Sequence, residues 1–157
     1  MAAWQVEFSV VPRRALAAAG IAALRPSADA GPWSAESLPS GYQGKLAAVA
    51  SPAPSPSADV QSWGPEDGNR IDVAFVAGRA TQVTARVDVR RLDARFGAML
   101  LQFARTASAV LVRSDGLVVE PLVGAFAASL RSSAAWQFAN DPAAHFAKYL
   151  DPAADDE

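Results

Sequence analysis

A chain of 157 residues, 51% of them hydrophobic, is long enough to bury a substantial core, and the expectation is one α+β domain spanning 1–157. Its formal charge of -2 and pI near 5.4 exclude the basic footprint of a nucleic-acid-binding protein, and nothing in the composition supports a membrane partner. Cysteine is absent, which removes disulfides and thiolate metal sites and is compatible with a reducing, cytoplasmic compartment.

Lysine occurs only at Lys45 and Lys148, whereas arginine is common and alanine abundant, a bias that suggests a GC-rich bacterial coding sequence. In chain order, WQVEFSVV (4–11) alternates cleanly: Trp4, Val6, Phe8 and Val10 form an apolar face opposite Gln5, Glu7 and Ser9. Pro12 suits the first turn of a helix over RRALAAAGIAAL, with Leu16, Ala19, Ala23 and Leu24 on its buried stripe. Arg13-Arg14 before an alanine-rich run imitates a twin-arginine export signal. The patterned strand ahead of it, Pro12, and a run too short for a bilayer argue for a helix instead.

From Pro26 to Asn69 the composition turns to Pro, Gly, Ser and Ala, which predicts a long surface excursion (26–69) with polyproline character at SPAPSPSAD. Within it GYQGKLAAVA predicts a short helix, since Ser40 and Gln43 have capping-box spacing. Trp33, Tyr42 and Trp63 are expected to fasten the excursion to the body, or to wall a ligand pocket between excursion and sheet.

RIDVAFVAGRATQVTARVDVRRL (70–92) reads as a hairpin of two alternating strands, with Gly78, Arg79 and Ala80 as its turn. Setting Phe75 opposite Val83 matches the apolar faces and places Asp72 opposite Arg86, whereas sliding by two residues would oppose Asp72 to Asp88. Asp93 is a natural N-cap for ARFGAMLLQFARTA, whose Phe96, Met99, Leu100, Phe103 and Ala107 recur at helical spacing. Asp115-Gly116 then predicts a type I′ hairpin with Val112 opposite Val119 and Arg113 opposite Val118. A helix over LVGAFAASLRSS follows Pro121. Asp141-Pro142 opens a last short helix, AAHFAKYL, before an acidic tail at 151–157.

The order of elements predicts a mostly antiparallel four- or five-stranded sheet with helices on one face, compatible with a ferredoxin-like βαββαβ arrangement plus an extra C-terminal strand and helices. Its open face would carry Gln5, Glu7, Ser9, Asp72, Thr84, Arg86, Asp88, Arg90, Arg113 and Glu120.

Recognisable catalytic chemistry is missing. His145 is the single histidine, too few for a zinc site, and neither a Walker loop nor a GxGxxG fingerprint occurs, so no catalytic residue, metal or cofactor is assigned. Gly64-Pro-Glu-Asp-Gly68 places two acids where a phosphate would sit. Carboxylates on the open face could pair for acid–base work, yet a carboxylate beside an arginine keeps its charge, the opposite of what a general acid needs. The resulting expectation is a non-catalytic protein-interaction module, of the immunity, antitoxin or regulatory kind. It would meet another protein through the excursion or through Glu7, Asp72, Arg86, Asp88, Arg90 and Arg113. The alternative is a small-molecule-binding or enzymatic domain with its pocket walled by Trp33, Tyr42 and Trp63.

Overall fold

The computed structural model describes residues 1–20, 31–55 and 57–144. The end of the first expected helix, the body of the last one with His145, and the acidic tail lie outside the described residues. The strands are β1 (Gln5–Pro12), β2 (Pro52–Ala53), β3 (Val60–Trp63), β4 (Arg70–Val76), β5 (Arg79–Asp88), β6 (Ala109–Arg113) and β7 (Val118–Val119). The helices are α1 (Arg13–Ala19), α2 (Tyr42–Ala47), α3 (Ala94–Thr106), α4 (Val123–Arg131) and α5 (Ala134–Asn140). The strands form one open antiparallel sheet in the order β2-β3-β4-β5-β1-β6-β7.

Seven strands exceed the four or five expected, because the proline-rich excursion is partly sheet. Val60 to Trp63 pair with Ala74 to Ile71, and Pro52-Ala53 then pair with Trp63-Ser62. Proline lacks the N–H that a strand with neighbours on both sides must donate, so Pro52 can take part only at the edge, where it is found.

The central hairpin is a correction. Ile71 faces Ala85, Val73 faces Val83, and Asp72 faces Thr84 rather than Arg86. The turn is the two-residue Ala77-Gly78, with φ of 50° and 76°, the positive pair that a type I′ connection requires. A bulge follows: Ala74 pairs with Gln82 and Phe75 with Ala80, leaving Thr81 as the extra residue. Its freed carbonyl accepts the backbone N–H of Trp33 at 3.1 Å, and Gly31 lies so close that a Cβ there would be 2.3 Å from the same oxygen.

One sheet face carries the main core. Val6, Phe8, Val10, Ile71, Val73, Val83, Ala85, Val87 and Leu111 meet Phe96, Leu100 and Phe103 of α3 and Phe126 of α4. Asp93 caps α3 as expected, accepting from the N–H groups of Arg95 and Phe96. Two local expectations fail. Gly41, with φ of 72°, starts α2 without a side-chain cap, so the Ser40/Gln43 box does not form. A further helix, α5, stands where no helix is expected from the sequence, capped by Ser133, whose hydroxyl accepts from the N–H of Trp136.

The hairpin after α3 is also shifted. Leu111 pairs with Val119 and Val112 with Val118, across a Ser114-Asp115-Gly116 loop in which Gly116 has φ of 93°. A one-residue shift exchanges the faces of a strand. The face of β6 itself is set by its pairing with β1, where Phe8 meets Arg113 and Val10 meets Leu111, so Arg113 shares the helix-covered face with Leu111, while Val110 and Val112 join Val11 on the other side. There Ala15 and Leu16 of α1 pack on them, so the helices occupy both faces and only part of the second face remains polar.

Candidate functional site: a polar concavity on the sheet

On the face opposite the main core, the side chains of β1, β5, β4 and β3 run in cross-strand rows. One row is Glu7, Arg86, Arg70; the next is Ser9, Thr84, Asp72, Ser62. Like charges directly opposite are unfavourable, so the Arg70–Arg86 pair needs compensation. Arg70, 7% exposed at its side chain, finds it locally: Nε donates to both Asp72 oxygens at 3.0 and 3.3 Å, and Nη1 to the Gly64 carbonyl at 2.9 Å. Ser62 donates its hydroxyl to the same carboxylate. Gly64, with φ of 94°, sits where a Cβ would be 2.0 Å from the Asn69 carbonyl, so glycine alone lets this turn close and aim its oxygen at Arg70.

Arg86 is held differently. Its Nε lies 3.5 Å from a Glu7 oxygen, an ion pair without a hydrogen bond. That nitrogen is enclosed and has no hydrogen-bond partner among the described residues, and Arg86 lines a concavity of about 680 Å³. The floor also holds Gln82 and Thr84. The walls are Ala53-Pro54-Ser55 on one side and Pro65-Glu66 on the other. Gln5 fixes the second wall, donating from Nε2 to the carbonyls of Glu66 and Gly68 at 3.0 and 2.7 Å.

The six residues proposed from sequence fall in three places. Glu7, Asp72 and Arg86 line the concavity. Asp88 and Arg90 form a clasp at the strand ends: Asp88 is buried, its carboxylate takes two bonds from the Arg90 guanidinium, and that guanidinium lies 3.9 Å over the Trp4 ring. Burial alone would raise the Asp88 carboxyl, but side-chain and backbone hydrogen bonds from Arg90 outweigh it and hold it below the ordinary carboxylate range. Arg113 is a correction, since it lies on the helix side. There its Nη1 donates to the Ser129 carbonyl and the Ser132 hydroxyl, and its other nitrogens grip Asp115.

Trp33 and Trp63 are core residues. The Trp33 indole donates to the Val10 carbonyl at 2.7 Å and packs edge-on to Phe103; Trp63 meets Tyr42 edge-on at 6.2 Å. None of the three lines the concavity. Arg70, Thr84 and Gln82 were missed as site residues, although Arg70 stands two positions before Asp72 and so had to share its face. No group of three or more metal-ligating side chains forms among the described residues, and no helix among them is long and apolar enough to cross a membrane. Compared with protein-family models, curated proteins and solved structures, the chain matches none of them.

Proposed function

We propose that this protein is a non-catalytic interaction module that receives a partner protein in the concavity of its polar sheet face. The observation that carries the reading is Arg86, a cation in a walled depression whose guanidinium donates no hydrogen bond among the described residues. A guanidinium satisfied within the fold, such as Arg70, is structural; one left open offers directional donors to another molecule. The concavity lies in the size range of small-molecule sites, but those carry few charged groups, whereas five charged side chains, Glu7, Glu66, Arg70, Asp72 and Arg86, line this one. Mixed charge of that kind favours specificity between proteins.

The succession β4-β5-β1-β6, with β1 and β5 central, supports a ferredoxin-like centre as part of this reading, and α1 on the second face is a departure from it. A bacterial immunity, antitoxin or regulatory protein would be of this type. The test is cross-linking with mapped sites in extract of the source cells, comparing the parent with Thr84→Trp, which fills the floor, and Val123→Lys, on the helix side. Thr84→Trp should lose the cross-linked partner and Val123→Lys should keep it; retention by Thr84→Trp refutes the proposal.

A further inference from the structure

We infer that the concavity binds a carboxylate presented by an aspartate or glutamate side chain of the partner protein, and that Glu7 holds its place at Arg86 until it arrives. The inference rests on the polar-face reading above and adds its chemistry. Five charged side chains line the depression, and they are not equivalent. Asp72 is committed, with Arg70 on both oxygens and Ser62 as a further donor. Arg70 is committed to Asp72 and the Gly64 carbonyl. Glu66 belongs to the wall, and on the floor Arg86 and Glu7 remain, 3.5 Å apart without a hydrogen bond, on adjacent strands of one row.

A loose contact of this kind is readily exchanged. The two Nη nitrogens of Arg86 present a planar fork that matches a carboxylate in a bidentate pair, stronger and more directional than the contact Glu7 makes. The acids already present select among anions. A phosphate group at pH 7 brings close to two negative charges beside Glu7, Asp72 and Glu66, whereas a carboxylate brings one. The proline and alanine walls offer apolar surface to the methylenes and neighbouring residues of the incoming chain. They offer no N–H from Pro54 or Pro65, so recognition falls to the side chains of the floor.

Glu7 provides a test of sign. If the ligand is a carboxylate, Glu7 competes with it, and Glu7→Gln should tighten binding; if the ligand is a cation, Glu7 attracts it and the same change should weaken binding. The measurement is an NMR titration of the full chain that follows backbone amides and the Arg86 Nε–H. The probes are a heptapeptide capped at both ends with one central glutamate, its glutamine counterpart, the glutamine peptide with a free C-terminal carboxylate, and inorganic phosphate.

The capped glutamate peptide should shift Arg86 saturably and the capped glutamine peptide should not. Arg86→Gln should weaken binding by about tenfold or more and Glu7→Gln should strengthen it by about threefold. Arg86→Lys, which keeps the charge but loses the fork, should bind as poorly as Arg86→Gln. Weakening by Glu7→Gln, tighter binding of phosphate, an equal response to the free C-terminus, or no response to the glutamate peptide overturns the inference. If Thr84→Trp abolishes the partner cross-link while Arg86→Gln and Glu7→Gln leave it intact, the carboxylate inference falls and the polar-face reading stands. If Thr84→Trp leaves it intact, both fall.

Discussion

At the scale of single residues, the backbone around Trp33 is set by contacts that no local pattern encodes. Its indole reaches the Val10 carbonyl and its own amide the Thr81 carbonyl, so one residue pins the excursion both to a central strand and to the bulge. Trp33→Phe removes the first bond and leaves a packing deficit, and should lower unfolding free energy by about 1–3 kcal/mol in denaturant titration. Ala77 runs the other way. With φ of 50° it occupies a conformation that costs a residue with a Cβ about 1–2 kcal/mol, partly offset by the entropy glycine would lose. Ala77→Gly should therefore raise the melting temperature, with a gain of about 0.5–1 kcal/mol. Burial at this scale was partly legible. Of ten residues that periodicity places inside, Val6, Phe8, Val73, Val87, Phe96, Leu100, Phe103 and Phe126 are in the main core, whereas Val112 is buried with Val11 on the second face and Phe75, beside the bulge, is only half-buried. The site residue Arg70 could have been reached by the same parity, but nothing in the sequence says that its charge is spent on Asp72 while that of Arg86 is not.

At the scale of elements, α3 and the central hairpin show when local signals suffice. Asp93 and the apolar stripe of α3 act within one element, and both hold. Asp93→Ala should cost about 1 kcal/mol through loss of the cap, and Phe103→Ala, whose ring packs against Trp33, about 3–5 kcal/mol by chemical denaturation. The register of the hairpin is not decided by an Asp72–Arg86 surface ion pair, which is worth at most about 1 kcal/mol. A slip of two residues preserves the alternation of faces, so hydrophobic matching cannot choose between registers that differ by two. The Ala77-Gly78 turn and the Thr81 bulge choose, and they put Thr84 opposite Asp72 and Arg86 opposite Arg70. In β6 the faces are undecided for another reason: Ala109 to Val112 are apolar at every position, so alternation says nothing about which face is which.

At the scale of the whole molecule, arginines join segments distant in the chain. Arg13 pairs with Glu120, and Arg113, paired locally with Asp115, ties the β6–β7 hairpin to the end of α4 by donating to the Ser129 carbonyl and the Ser132 hydroxyl. The carboxyls of Asp115 and Glu120 lie below their ordinary range, chiefly through hydrogen bonds from Arg113 and Arg13, and that of Asp88 is lowered by Arg90 against the opposing effect of burial. A carboxyl whose folded value is depressed contributes stability above its unfolded value and loses it as pH falls through the folded value. The protein should accordingly be at full stability from neutral pH down to about pH 5, and lose stability progressively below about pH 4, where unfolded carboxyls protonate first. Asp88→Asn should flatten that decline, because it removes a titrating group held low by the fold; an unchanged slope in urea titrations at pH 3 and pH 6 would refute the assignment.

The sequence by itself determined the α+β class, the strands β1, β4 and β5 with their alternating faces, the helix α3 with its cap, and the exclusion of the prolines from a central strand. These follow from interactions within a few residues, where periodicity of two or 3.6 and the missing proline N–H leave one solution. Tertiary structure decided the rest: the register of the central hairpin, the face on which Arg113 lies, the two strands added by the excursion, and the walls that turn a polar face into a concavity. Each depends on segments far apart in the chain, and on alternatives separated by little local free energy until packing and turn geometry are satisfied together.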